Sequence, residues 1–342
     1  MARRLQYWST ARHAKGYAQS SHMTAGARSR LCATLCVLAP WALTIPVQAR
    51  ACGVVSIPAL FVSQRVFAMP VAAADLRPLR FWVDSDGSGF IFDDVARRYG
   101  ILAQEAASSH ARAGLPRFVS SANIPPLTAH AGTLSVMRRA EVARDPIFDG
   151  LDGQLGASWL QHRVWTFDFP GHRFVWRCDG SEPDHAPSRE IPLAFAVDAA
   201  GHLIGGVEYP QLDVTIAGTH FLASLDTAAT VALSNHGVDA LQGLEAVRAT
   251  SFATRALVAQ WHERHPSWPY VRDAGQQSGI DAIRVPEVGA GSVRFANVWF
   301  TTRPSDDVFE GEREQVKLGP TAFGCCALTI DYPRRRAIIQ GG

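Results

Sequence analysis

The 342-residue chain has little net charge, few methionines and no long apolar run. Its 33 Lys+Arg against 31 Asp+Glu leave a formal charge of +2, which excludes the basic footprint of a nucleic-acid-binding protein. With 47% hydrophobic residues it is too apolar for a disordered chain. No apolar stretch reaches the roughly 20 residues that a spanning helix needs, so no integral membrane span is expected in the mature chain. There is no Cys-x-x-Cys, and with it no zinc-ribbon spacing, and no Gly-x-Ser-x-Gly elbow for a serine nucleophile. Only 4 Met stand against 28 Gly and 20 Pro, a balance that suits turns and short strands better than a helical bundle.

The N-terminus reads as an export signal over residues 1–51. Arg28 and Arg30 precede the apolar run Leu31–Ile45, and Ala49-Arg50-Ala51 offers a small-x-small cleavage site. Met23 is an alternative start, and the expected location is periplasmic or secreted. Removal of this segment leaves Cys52, Cys178, Cys325 and Cys326. Three pairings of four cysteines are possible, and spacing does not choose among them.

Comparison of the chain with itself shows a duplication. Leu155-Gly156-Ala157-Ser158-Trp159-Leu160 is followed by Thr166, Asp168 and Pro170, and Leu318-Gly319-Pro320-Thr321-Ala322-Phe323 by Thr329, Asp331 and Pro333, with a Gly-to-Asp spacing of twelve in both. Both end in strand-like tails, Arg173–Trp176 and Arg336–Ile339. Upstream, Leu79–Ser88 aligns with Thr219–Thr230 when Asp84 is superposed on Asp226, with Phe90-Ile91-Phe92 and Val231-Ala232-Leu233 as the following strands. An N-terminal lobe over 52–178, a connector over 179–206 and a C-terminal lobe over 207–342 are expected. Asp84 and Asp226 are 142 residues apart whereas Asp168 and Asp331 are 163 apart, so the second copy carries about 21 extra residues. Leu244, Val247, Leu257, Val258 and Trp261 fall near helical spacing, which places the extra residues in a helix over 244–265.

An Asp on a turn of small residues, once per copy, has a chemical meaning. Copies related by pseudo-symmetry can bring two carboxylates together, and two close carboxylates cannot both ionise cheaply. They share a proton, so that one can take a proton from water while the other hydrogen-bonds a substrate carbonyl. A hydroxyl at the next position, Ser85 or Thr227, can bond across the copies and fix the turns.

These residues resemble the retropepsin-like and pepsin-like aspartic proteases, in particular the bacterial duplicated forms. Asp226-Thr227-Ala228-Ala229-Thr230 and Asp84-Ser85-Asp86-Gly87-Ser88 match the Asp-Thr/Ser-Gly motif, with Ala228 and Asp86 where Gly is usual. Leu155-Gly156 and Leu318-Gly319 match the apolar-Gly element that buttresses the active-site loops. The resemblance implies an all-β chain with minor helices, in a two-lobed pepsin-like acid protease fold formed by duplication. It implies an aspartic endopeptidase with Asp84 and Asp226 as catalytic dyad, acting on peptide or protein substrates as a monomer without metal or cofactor. The alternative is a catalytically silent homologue that binds peptides or proteins in its cleft.

Asp86 adds a third carboxylate beside the pair. There is no flap-type Tyr between residues 101 and 150, while Gly289-Ala290-Gly291 before Arg294–Phe300 suggests a glycine-tipped hairpin. Asp84-Ser85-Asp86-Gly87-Ser88 also has the look of a calcium loop, but Val95 at its twelfth position cannot ligate and a strand precedes it. His262-Glu263-Arg264-His265 is one residue short of a zinc pair and reads as a solvated helix end. Asp168 and Asp331 read as hairpin caps.

Overall fold

The computed structural model describes residues 52–102, 111–127, 132–183, 188–241, 245–303, 309 and 314–341. It is an all-β protein with minor helices, arranged as two lobes on a shared six-stranded sheet. In that sheet Val54–Ile57, Arg173–Arg177 and Val164–Asp168 lie on one side and Ala327–Asp331, Arg336–Gln340 and Ser188–Pro192 on the other. The two halves meet where Val164–Asp168 pairs antiparallel with Ala327–Asp331. Thr166 stands directly opposite Thr329, their hydroxyls 2.7 Å apart. These threonines are equivalent in the sequence repeat, so the pseudo-two-fold axis passes between them.

The axial strands are mostly apolar, with one Thr and a terminal Asp in each, and Val164–Asp168 is buried along its whole length. Trp165, Phe167 and Phe174 fill the adjoining core, with Trp159 tilted over Trp165 at 4.5 Å. Each hairpin of this sheet is capped as its sequence indicates. The Asp168 carboxylate accepts from the Gly171 N–H at 2.9 Å, and that of Asp331 from the Arg334 N–H at 3.0 Å.

The lobes repeat one topology. Phe81–Val83 runs parallel to Gly153–Leu155, and Thr219–Leu225 runs parallel to Val316–Leu318. Phe90–Phe92 lies antiparallel to Gly153–Leu155 and parallel to Leu134–Met137. Its counterpart by pairing is Ser251–Ala253, antiparallel to Val316–Leu318 and parallel to Val293–Thr301. A helix follows in each lobe, Asp93–Arg98 and Arg255–Arg264. Ala282–Ala290 and Val293–Thr301 form the glycine-tipped hairpin, with Gly291 at φ +56° in its turn.

This topology corrects the placement of the extra residues. Val231-Ala232-Leu233 is not the partner of Phe90-Ile91-Phe92, because Thr230–Ala232 pairs with Val247–Ala249 in a separate two-stranded sheet. Six residues take the chain from Asp84 to Phe90, and twenty-five from Asp226 to Ser251. The insertion is therefore this small hairpin with its helix Asn235–Ala240, and Arg255–Arg264 is a repeated element. The expected helix over 244–265 fails in its first half because Val247–Ala249 and Ser251–Ala253 are strands. Helix begins only after Thr254, whose hydroxyl accepts from the Leu257 N–H. Val247 is thus a strand residue, and Leu244 lies outside the described residues.

A disulfide joins Cys52 to Cys178, tying the segment before the Val54–Ile57 strand to the end of the Arg173–Arg177 strand. Cys325 is exposed and Cys326 buried, both as free thiols. Among the described residues no helix is long and apolar enough to cross a membrane. The export-signal segment lies outside them.

Candidate functional site

The two Asp-bearing loops meet at the junction of the lobes. Each begins where a strand ends beside its parallel neighbour. The Asp84 N–H donates to the Leu155 carbonyl and the Asp226 N–H to the Leu318 carbonyl, both at 3.0 Å. Ser85 and Thr227 then cross between the copies. The Ser85 N–H donates to Thr227 Oγ1 at 3.0 Å and the Thr227 N–H to Ser85 Oγ at 3.1 Å. Thr227 Oγ1 donates onward to the Val83 carbonyl at 3.0 Å, and Ser85 Oγ to that of Leu225. Both residues are fully buried, so these four bonds satisfy groups that water does not reach.

Each aspartate closes its own loop. Asp84 Oδ1 accepts from the Asp86 N–H and Asp226 Oδ1 from the Ala228 N–H, both at 2.9 Å. The N–H that a glycine would present at these positions is thus supplied by Asp86 and Ala228. Gly87 lies so close that a Cβ there would sit 2.0 Å from Asp84 Oδ2. Gly156 and Gly319 pack under the loops with the same lack of room, a Cβ reaching 2.3 Å from the Gly87 carbonyl in one and 1.8 Å from that of Thr250 in the other. Asp84, Ser85, Asp86, Gly87, Leu155, Gly156, Asp226, Thr227, Ala228, Leu318 and Gly319 therefore gather in one place.

Lys317, absent from that set, changes the site's electrostatics. It occupies the position that Gln154 holds in the first copy, one residue before the Leu-Gly pair. Gln154 makes a local bond, its Nε2 donating to the Ser88 carbonyl at 2.9 Å. Lys317 instead reaches across the lobes to the Asp86 carboxylate and lies 3.5 Å from Glu314, which also accepts from the Ser224 hydroxyl. The Lys317, Asp86 and Glu314 side chains are all more than nine-tenths buried.

Burial and then the charge of Asp86 push Asp84 up to about 7, against the backbone N–H donors and Lys317. Burial and then the charge of Asp84 push Asp226 up to about 7, opposed by Lys317 and Arg303. Burial alone would lower Lys317, but Asp86 and Glu314 outweigh it, and the ammonium is held protonated. Burial also raises Asp86, with Lys317 working against that shift. Asp84, Asp86 and Asp226 are thus three carboxylates held above the ordinary carboxylate range by burial, beside a lysine that stays protonated. Strand Phe81–Val83 precedes the first loop, and Asp86 is engaged by Lys317.

His262 and His265 serve as stacking partners, on Tyr270 and Trp268, at the end of helix Arg255–Arg264.

No family model matches the chain, and no curated protein does. Among solved structures it is similar to basic 7S globulin from soybean, at 9% identity and TM-score 0.47, over 85% of this chain and 97% of that one. It is similar to conglutin gamma from lupine seeds at 8% identity and TM-score 0.45, over 85% and 95%. It is also similar to edgp at 9% and 0.47, over 84% and 94%. The motif resemblance to the retropepsin-like and pepsin-like proteases is corrected by these findings. No family model and no curated protein carries it, and the three similar structures named are two globulins and edgp. The architecture it implied, all-β and two-lobed, is the one the chain adopts.

Proposed function

We propose that this is a non-hydrolytic two-lobed binding protein that holds an extended peptide or protein segment in the cleft above Asp84 and Asp226. The observation that carries this reading is the buried Lys317–Asp86 pair. Hydrolysis by two carboxylates needs one proton held between two equivalent groups with a water centred on them. Asp86 and Lys317 place an ion pair beside the Asp84 loop with no counterpart beside Asp226, where Ala228 stands. The equivalence of the two loops is lost. Main-chain recognition of an extended peptide between the lobes does not depend on that equivalence.

The reading is tested with purified protein and denatured casein between pH 3 and pH 8. Saturable binding without new fragments is expected. Fragments that disappear in both Asp84→Asn and Asp226→Asn would overturn it and establish peptide hydrolysis by the pair. Residence outside the cytosol is part of the proposal and is supported by the Cys52–Cys178 disulfide.

A further inference from the structure

Three donor atoms on one face of the first lobe are buried without an acceptor: Arg65 Nε, Arg80 Nε and Trp82 Nε1. Phe67 and Trp82 are paired across neighbouring antiparallel strands, and Arg65 and Arg80 lie two residues away on the same face of each. The geometry is a stack. The Arg80 guanidinium lies 4.0 Å and that of Arg65 5.2 Å from the centre of the Phe67 ring, and the Trp82 ring stacks on Phe67 at 6.4 Å. Phe148 closes the far side, edge-on to Trp82. Arg65 is 8% exposed and Trp82 6%.

Arg65 is buried and Arg80 half-buried, and two guanidiniums this close repel one another. Burial, and then the charge of Arg80, pushes Arg65 down to about 10. Among the described residues neither guanidinium has a carboxylate in ion-pair contact, although Arg77, Arg97, Arg139, Arg173, Arg294, Arg334 and Arg336 each do. Glu245 is the acidic group whose charge Arg65 feels most, and it is exposed and accepts from the Ser63 hydroxyl. Donor-only groups concentrated in an apolar setting cost stability unless an acceptor meets them.

We propose that Arg65, Arg80 and Trp82 form a carboxylate-binding subsite that takes an acidic side chain of the bound peptide, with Phe67 and Phe148 as its apolar walls. The planar guanidinium fork matches the two oxygens of a carboxylate, and the indole N–H supplies a further donor. The subsite belongs to the cleft by strand register. Trp82 lies on the Phe81–Val83 strand that leads into the Asp84 loop, Arg65 begins the antiparallel neighbour of that strand, and the Ser63 carbonyl near Arg65 accepts from the Ala249 N–H of the second lobe's insertion. This inference rests on the peptide-binding reading, and its test separates the two.

Two C-terminally amidated decapeptides that differ only by Glu against Gln at one central position are titrated calorimetrically. Wild-type protein is expected to bind the Glu peptide at least tenfold more tightly. In Arg65→Gln/Arg80→Gln that ratio falls to about one while the Gln peptide binds unchanged, and Trp82→Phe loses severalfold affinity for the Glu peptide alone. Equal binding of both peptides by wild type would overturn the subsite and leave the cleft reading intact. Binding of neither would overturn the cleft reading, and succinate at constant ionic strength then decides the subsite. A rise in Tm for wild type and none for the double variant supports it; equal responses overturn it. If the Gln variant does not fold, Arg65→Lys/Arg80→Lys keeps the charges and loses the fork, and unchanged Glu preference there overturns the bidentate assignment.

Discussion

Lys317 and Asp86 are 231 residues apart in sequence and form one buried ion pair between the two repeats. Neither position is charged in the other copy, where Gln154 and Ala228 stand. Each charge alone would be costly at this depth. Together, with Glu314 and the Ser224 hydroxyl, they make a connected polar group at the lobe junction.

Replacement of Lys317 by Met keeps the volume and removes the cation, leaving Asp86 and Glu314 buried without it. A loss of about 3–5 kcal/mol is expected, the range for breaking a buried pair from one side. Asp86→Ala/Lys317→Met should recover part of that loss. Urea denaturation at pH 7.5 reads both. Strict additivity of the two single changes would mean that the pair is not energetically coupled.

The duplication was legible because its marks are local: Asp-Ser/Thr, Leu-Gly and Thr-x-Asp-x-Pro recur at fixed spacing, and each does the same mechanical task in its copy. Thr166 against Thr329 is that repeat made visible at the axis. The insertion was misread because Leu257, Val258 and Trp261 form a true helical stripe, and Val247 joins the pattern by chance spacing while pairing in a strand. Lys317 escaped notice because its partner is in the other lobe. A signal did exist, since aligning the Leu-Gly elements sets a lysine against Gln154 beside a fully buried motif. Arg65 and Arg80 carry no motif at all; only their shared stacking on Phe67 makes them a unit.

The pH dependence of stability follows from the raised carboxylates. Asp226 has a folded-state pKa of about 7, above its ordinary value of 3.8. The native state therefore holds this proton more tightly than the unfolded chain. Its contribution is fully present below about pH 4 and is lost as pH rises through about 7. Asn at position 226 does not titrate, so Asp226→Asn should lose less Tm between pH 4 and pH 8 than wild type. Superimposable Tm–pH curves for the two proteins would refute the assignment.

The crossed hydroxyls of Ser85 and Thr227 hold the loops together. Ser85→Ala removes the acceptor of the Thr227 N–H, and Thr227→Ala removes that of the Ser85 N–H. Each strands a buried donor, for an expected cost of about 1–3 kcal/mol. Thr227→Ser keeps the hydroxyl and should cost clearly less than Thr227→Ala. Chemical denaturation orders the three variants, and Thr227→Ser matching Thr227→Ala would show that the methyl group and not the hydroxyl matters.

The glycines under the two loops are required for space, and the expected consequence is unequal between positions. Neither Gly156 nor Gly319 has positive φ, so an alanine there is not excluded by backbone conformation. It is excluded by contact, because the new Cβ would meet the Gly87 carbonyl at 2.3 Å in one case and the Thr250 carbonyl at 1.8 Å in the other. Both obstacles are backbone atoms, and no side-chain rotation relieves them. Gly156→Ala and Gly319→Ala should each cost about 3 kcal/mol or more, the upper range of overpacking, and should displace the Asp-bearing loops. Gly114 has nothing within 4 Å of its added Cβ, so Gly114→Ala should stay within about 0.5 kcal/mol of wild type or gain slightly from a stiffer unfolded chain. Thermal denaturation of the three variants measures this, and a Gly319→Ala protein as stable as Gly114→Ala would show that the Leu318-Gly319 element does not support the Asp226 loop.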